Sequence, residues 1–188
     1  MYGIVSLLDD PTDQLVRDLW SEIREKTGIR TIAEFLPHPH ITYHGAEKYD
    51  RDRVRALMDE LATEIAPFTV RITGLGIFTH PQQVLYLPVA RSPDLAELHA
   101  QLWEEAHTAA EEPSPLYGSH MWMPHITLAQ HDIDPDSLAT LMGILSDRDL
   151  TREITIDNMA LFAGAGEDES GELYRVTLTG EEANDTAK

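Results

Sequence analysis

Apolar residues recur along the chain in two rhythms, one with a period near two and one near 3.6, and together they predict alternating strands and helices. Residues 2–8, rich in Ile, Val and Leu, read as a strand. From about Thr12 to Lys26, the positions Leu15, Val16, Leu19, Trp20 and Ile23 fall at helical spacing, and Gly28 stands where a C-cap belongs. A strand is expected near Ile29–Phe35, and a Pro-His-Pro-His stretch then leads into a strand over His40–His44. Asp50 is placed to cap a helix running to about Ile65, with Val54, Leu57, Met58 and Leu61 facing inward. Phe68–Phe78 and Val84–Val89 are extended runs, and the short polar connection Thr79–Gln83 between them predicts a hairpin.

The second half follows the same plan. Pro93 to about Ala110 reads as a helix with Leu95, Leu98, Leu102, Trp103 and Ala106 on one face. Residues 111–121 (EEPSPLYGSHM) read as a loop, His125–Gln130 as a strand, and Asp134 or Asp136 as the start of a helix to about Leu145. Glu153–Phe162 and Leu173–Thr179 form a second pair of strands joined by the acidic loop Gly164–Gly171, and the polar tail 180–188 should fray. The likeness extends to residues: Pro39-His40-Ile41-Thr42 reappears 85 positions later as Pro124-His125-Ile126-Thr127. Ile72–Phe78 matches Ile156–Phe162 at an offset of 84, and Leu85-Tyr86 matches Leu173-Tyr174 at 88. The expectation is one bilobal domain over residues 1–188, with repeat units of roughly 38–90 and 123–179 and a pseudo-twofold axis between two lobes.

Charge narrows the ligand. With 14 Lys and Arg against 33 Asp and Glu, the net charge is −19, and such a surface repels long nucleic acids, which bind through Lys and Arg contacts to phosphates. A small nucleotide or a single strand end fits better, although solubility alone accounts for the acidity equally well. The chain has no cysteine, which excludes disulfides, thiol nucleophiles and Cys-based metal centres. No apolar stretch approaches the ~20 residues of a membrane span. MYGIVSLLDD lacks the basic flank of a signal peptide and reaches Asp9 early, so a cytoplasmic protein, acting as a monomer, is expected.

The candidate chemistry lies in the repeated triplets. In a strand, residues i and i+2 share a face, so His40 and Thr42 point one way and Ile41 the other; His125, Thr127 and Ile126 do likewise. A lone strand histidine is usually structural, but two at matching places of an internal repeat, each after proline, form a specific pattern. Imidazole titrates near pH ~6.5, so one ring can take a proton from an attacking oxygen while the other protonates the leaving oxygen. The Thr42 and Thr127 hydroxyls suit the non-bridging oxygens of a phosphate, where charge sits in the transition state. This chemistry requires no metal and no cofactor.

On these residues the chain resembles the two-histidine phosphoesterase superfamily, which includes the bacterial 2′–5′ RNA ligases and the 2′,3′-cyclic phosphodiesterases. The shared mark is one His-x-Thr or His-x-Ser triplet per pseudo-symmetric lobe, here His40-Ile41-Thr42 and His125-Ile126-Thr127, and the likeness spans about residues 2 to 179. The resemblance implies an α+β fold: two antiparallel sheets facing across a central cleft, with helices outside. It also implies hydrolysis of 2′,3′-cyclic phosphates or 2′–5′ linkages at RNA ends or in small nucleotides, with ligation as the reverse reaction. The chain departs from the family in reading Tyr43-His44-Gly45 after the first triplet, where Phe-Leu-Gly is common, and in having few basic residues.

Other residues are weighed against plainer roles. His38 and His44 are better read as rim residues than as metal ligands, because no carboxylate pattern completes a site. His99 and His107 fall on a helix, at its boundary or in solvent. Trp122, before the second triplet, is the first choice for a base-stacking platform; Tyr86 and Tyr174 are further substrate contacts if they line the cleft, and core aromatics otherwise. Arg91 and Arg175 are phosphate-binding candidates by position alone. Gly74-Leu75-Gly76 lacks the third glycine and the following helix of a dinucleotide fingerprint and reads as a strand bend. The competing function is a nucleotide-binding module with little or no turnover, and intact triplets argue against it.

Overall fold

The computed structural model describes residues 1–30, 38–80, 82–164 and 170–181. Its elements run β1 (Tyr2–Leu7), α1 (Asp10–Thr27), β2 (His40–Tyr49), α2 (Arg51–Glu64), β3 (Phe68–Ile72), β4 (Gly76–Phe78), β5 (Val84–Pro88), α3 (Pro93–Thr108), β6 (Ala110–Pro113), β7 (His125–Gln130), α4 (Pro135–Leu145), β8 (Arg152–Ile156), β9 (Asn158–Ala163) and β10 (Gly171–Thr177). Each helix starts where a side chain satisfies an orphan backbone N–H: Asp9 accepts from Thr12, Asp50 from Arg53, Ser92 from Leu95 and Asp134 from Ser137. Helix α1 stops at Gly28, whose φ of 78° is open to glycine at little cost. Most of the strand expected at Ile29–Phe35 lies outside the described residues.

The strands form three antiparallel groups, β10-β9-β1-β2-β6, β4-β5-β7 and β3-β8. Helix α3 packs against β2 and α1 against β7, so the fold is α+β with helices on the outer faces, as expected. No helix among the described residues is long and apolar enough to cross a membrane.

Two long runs divide where the sequence suggested single strands. Phe68–Phe78 breaks at Thr73–Leu75, where Gly74 has a φ of 120°; Glu153–Phe162 breaks at Asp157. The first segments of both runs leave their hairpins and pair with each other. In that β3–β8 ladder Val70 lies opposite Ile154, and Phe68 opposite Ile156. Val70 and Ile154 are equivalent at the repeat offset of 84, so the pseudo-twofold axis passes between them.

Beyond that axis the halves exchange strands. The first motif strand, β2, sits beside β1 and then β9, whereas the second, β7, sits beside β5 and then β4. Register fixes the equivalences: Leu7 faces His40 as Pro88 faces His125, and Val5 faces Thr42 as Tyr86 faces Thr127. β5 therefore repeats β1 and not β10, and Tyr86 and Tyr174, alike in local sequence, occupy unrelated places.

Residues 111–121, expected as loop throughout, contribute the edge strand β6 on β2 and a single 3-10 turn at Pro115–Tyr117. Near that turn, aromatic rings gather around a buried histidine. His44, expected at the rim, is fully buried, with its ring 4.7 Å from that of Trp103 and Nδ1 2.5 Å from the Tyr49 hydroxyl. Burial, reinforced by the nearby His107 and His99, pulls the His44 pKa down from 6.5 to about 4. A folded-state pKa below the unfolded value means that the unfolded chain binds the proton first, so stability falls as pH drops from about 6.5 towards 4. His44→Gln should remove about 3 kcal/mol of that acid sensitivity, read as a smaller loss of denaturation free energy between pH 7 and pH 4 than in the wild type.

Candidate active site

Both motif histidines sit at the first position of a strand, after a buried proline, and both are half-buried. His40 Nδ1 lies 2.8 Å from the His38 carbonyl and His125 Nδ1 lies 2.7 Å from the Met123 carbonyl. A carbonyl only accepts, so each Nδ1 carries the proton and each Nε2 is the bare nitrogen. The same bond, two residues back across a proline, thus sets the same tautomer and ring orientation twice. Proline's fixed φ, and the extended backbone it imposes on the residue before it, hold that carbonyl in place.

A second device follows each triplet. The β1–β2 register slips after Thr42, where Val5 faces Thr42 and Ile4 faces His44, leaving Tyr43 as an extra residue. The β5–β7 register slips in the same way after Thr127, with Leu128 the extra residue. These matched β-bulges end the simple alternation just past the motif threonines. His40 and Thr42 keep a half-buried face, while Tyr43 and His44 are both taken into the interior.

The charge of His125 reaches His40. His40 has its pKa lowered, first by burial and then by repulsion from His125 and His38, against the opposing bond to the His38 carbonyl. His125 is lowered by burial, opposed by the Met123 carbonyl. Both rings therefore favour the neutral form. Each ring also lies beside a phenylalanine. Phe162 on β9 stacks near His40 at 6.3 Å, and Phe78 on β4 meets His125 edge-on at 5.1 Å. Tyr86 lies 5.1 Å from His125 and 4.2 Å from Phe78, its ring in space that a side chain on Gly76 would fill.

The backbone behind each triplet is tied to the opposite half. Trp122 Nε1 donates to the Thr42 carbonyl at 2.8 Å, and Trp20 Nε1 donates to the Thr127 carbonyl at 3.0 Å. His99 holds the Tyr117 carbonyl at 2.8 Å through Nε2. On the other side of β2, the buried Tyr43 hydroxyl meets Ser6 Oγ at 2.8 Å, and the Asn158 side chain pairs with both N–H and carbonyl of Leu7.

The expected substrate contacts divide. Tyr86 stands next to His125, largely buried. Trp122 is only 3 % exposed and stacks face to face on His99 at 3.8 Å, so it is a wall of the core and not an open platform for a base. Tyr174 lies on the edge strand β10 with its hydroxyl on Asp59 and its ring under Arg55, both from α2, away from the two triplets. His99, expected at a boundary, is fully buried. Arg91 lies over the Trp122 ring and Arg175 pairs with Glu172, so neither is committed to the triplets. Phe78, Phe162, Tyr117 and Trp20 went unread in the sequence as site residues. The signal for the two phenylalanines was present, since both close the matched heptapeptides 72–78 and 156–162. Among the described residues, no group of three or more His, Asp or Glu side chains is arranged to hold a metal ion.

Comparison with known proteins agrees with this architecture. A Bacillus licheniformis protein, named provisionally as a phosphoesterase, is 28% identical over 126 residues, covering 65% of this chain and 70% of its own. A similarly named Bacillus cytotoxicus protein is 28% identical over 129 residues, 67% of this chain and 70% of its own. Among solved structures, TT0787 of Thermus thermophilus superimposes with a TM-score of 0.65 at 20% identity, over 96% of this chain and 99% of that one. E. coli LigT complexed with 3′-AMP gives 0.54 at 18% identity, over 95% and 97%. The sequence profile of the 2′-5′ RNA ligase superfamily matches residues 11–168, and the chain belongs to that superfamily.

Proposed function

We propose that the protein is a metal-independent phosphodiesterase that hydrolyses 2′,3′-cyclic phosphate or 2′–5′ phosphodiester bonds in small nucleotides or at RNA ends. The observation that carries this reading is the pair of imidazoles, one from each repeat, each held through Nδ1 by the carbonyl two residues back so that Nε2 is bare, with His125 near enough to His40 to disfavour its charged form. One ring acts as base and takes a proton from water, whose oxygen attacks phosphorus. The bond from phosphorus to the leaving ribose oxygen breaks, and that oxygen takes its proton from the second ring, the acid. One water is consumed, and a phosphomonoester and a free hydroxyl result. Thr42 and Thr127 donate to the non-bridging oxygens as charge gathers on them.

Membership of the superfamily supports phosphoester chemistry, and the net charge of −19 favours a small ligand over a long nucleic acid. The crystal structures of E. coli LigT with 3′-AMP and with phosphate, whose fold this chain shares, support a small phosphoester as the ligand.

His40→Ala and His125→Ala should each reduce turnover of 2′,3′-cyclic AMP or a 2′–5′ dinucleotide by at least about 10³-fold, while EDTA leaves the wild-type rate unchanged. Full activity in either variant would end this mechanism; tight 3′-AMP binding with no turnover would leave a binding module instead. Thr42→Val and Thr127→Val should each lower kcat by about 10- to 100-fold, measured at saturating substrate.

The pH dependence has a defined sign. The acid must hold its proton, and the cleft lowers both imidazole pKa values from 6.5, so the alkaline limb of kcat/KM should lie below pH 6.5. The negative charge of bound substrate raises the acid's pKa, so the kcat profile should sit at higher pH than that of kcat/KM. An alkaline limb of kcat/KM well above pH 6.5 would contradict the assignment.

A further inference from the structure

The two sides of the cleft differ at the residue whose carbonyl orients the motif histidine. On the second side this residue is Met123, 52 % exposed and without a hydrogen-bond donor in its side chain. On the first it is His38, half-buried, with its ring 6.1 Å from Phe162 and edge-on to it. Phe162 is also the ring stacked near His40, so His38, His40 and Phe162 form one cluster.

The tautomer of His38 is set from α1. Asp13 and Arg17, one helical turn apart, form a two-bond ion pair at 2.5 and 3.3 Å, which fixes the guanidinium. Arg17 Nη2 then reaches His38 Nδ1 at 2.9 Å. A guanidinium has only donors, so Nδ1 accepts and the ring proton lies on Nε2. That is the opposite tautomer to His40 and His125. Among the described residues Nε2 of His38 has no hydrogen-bond partner, and the buried unpaired atoms do not include it. A positioned N–H donor beside His40 is thus left over by the fold.

We propose that His38 is a substrate-binding residue, its Nε2–H donating to a phosphate oxygen of the nucleotide on the His40 side of the cleft. The proposal rests on the phosphodiesterase reading of the same site. It gives the pseudo-symmetric cleft a direction: the phosphate is drawn towards His38 and His40, and the less polar part of the nucleotide is left to Phe78 and Met123 around His125.

The test separates contact from support. His38→Ala should raise KM for 2′,3′-cyclic AMP and the calorimetric Kd of 3′-AMP about tenfold each, with kcat within about threefold of wild type, because a hydrogen bond to a charged acceptor is lost from ground and transition states alike. His38→Gln, which restores an N–H donor, should recover most of both. Arg17→Ala, which frees the tautomer, should weaken 3′-AMP binding by a smaller factor. Unchanged KM and Kd in His38→Ala would overturn the proposal, as would a fall in kcat alone, which would mean that His38 only orients His40. Those outcomes leave the phosphodiesterase reading standing, whereas full activity of His40→Ala sinks that reading and not the binding measurement. A wild type that neither binds 3′-AMP nor turns over a cyclic phosphate refutes both.

Discussion

Pairing between β3 and β8 constrains everything else in this molecule. Val70 and Ile154 hold the same position in the two repeats and face each other in one antiparallel ladder. Two equivalent strands that pair this way must be related by a local twofold axis. The chain leaving β3 towards β4 is then carried to one side and the chain leaving β8 towards β9 to the other. Each final strand arrives against the other repeat's sheet, so β9 completes the sheet of β2 and β4 completes the sheet of β7. Neither repeat can build its own half of the cleft. Burial of Ile41, Ile126, Ile72 and Ile156 in one continuous core makes the exchange cooperative.

Local geometry at the two triplets is copied through this exchange with little change. A proline, a carbonyl two residues back, an imidazole held by Nδ1, a threonine and a β-bulge occur in the same order on both strands. Each threonine carbonyl is then held by an indole, but the two indoles come from different kinds of place: Trp20 from α1, and Trp122 from the segment just before β7. The backbone of the site is symmetric, and its supports are not.

The asymmetry continues at the surface of the cleft. The first side carries Arg17, His38 and Phe162; the second side carries Tyr86, Phe78 and the exposed Met123. A symmetric pair of rings could serve either direction of proton transfer. Unequal surroundings, with His38 and Arg17 beside a single phenylalanine at His40 and two aromatic rings at His125, make the two sides chemically distinct.

Several features followed from local sequence alone. The caps at Asp50 and Asp134 and the helical spacing of apolar residues gave helix positions to within a residue or two, since capping and periodicity involve only neighbouring positions. Duplication of His-Ile-Thr after proline marked the candidate site for the same reason. Alternation along β2, however, was legible only as far as Thr42: the bulge at Tyr43 arises from register with β1 and carries His44 inward, which no local pattern announces. Tyr86 and Tyr174 looked equivalent because Leu-Tyr occurs in both strands, yet strand pairing made β1 the counterpart of β5. Trp122 was expected open and is buried because His99, on a different element, covers its face. Sequence by itself determined the elements, the duplication and the two triplets, all of which rest on contacts within a few residues. Only tertiary structure decided which strand each triplet adjoins, which aromatic flanks each ring and which histidines are left free, because those depend on pairing between segments far apart in the chain.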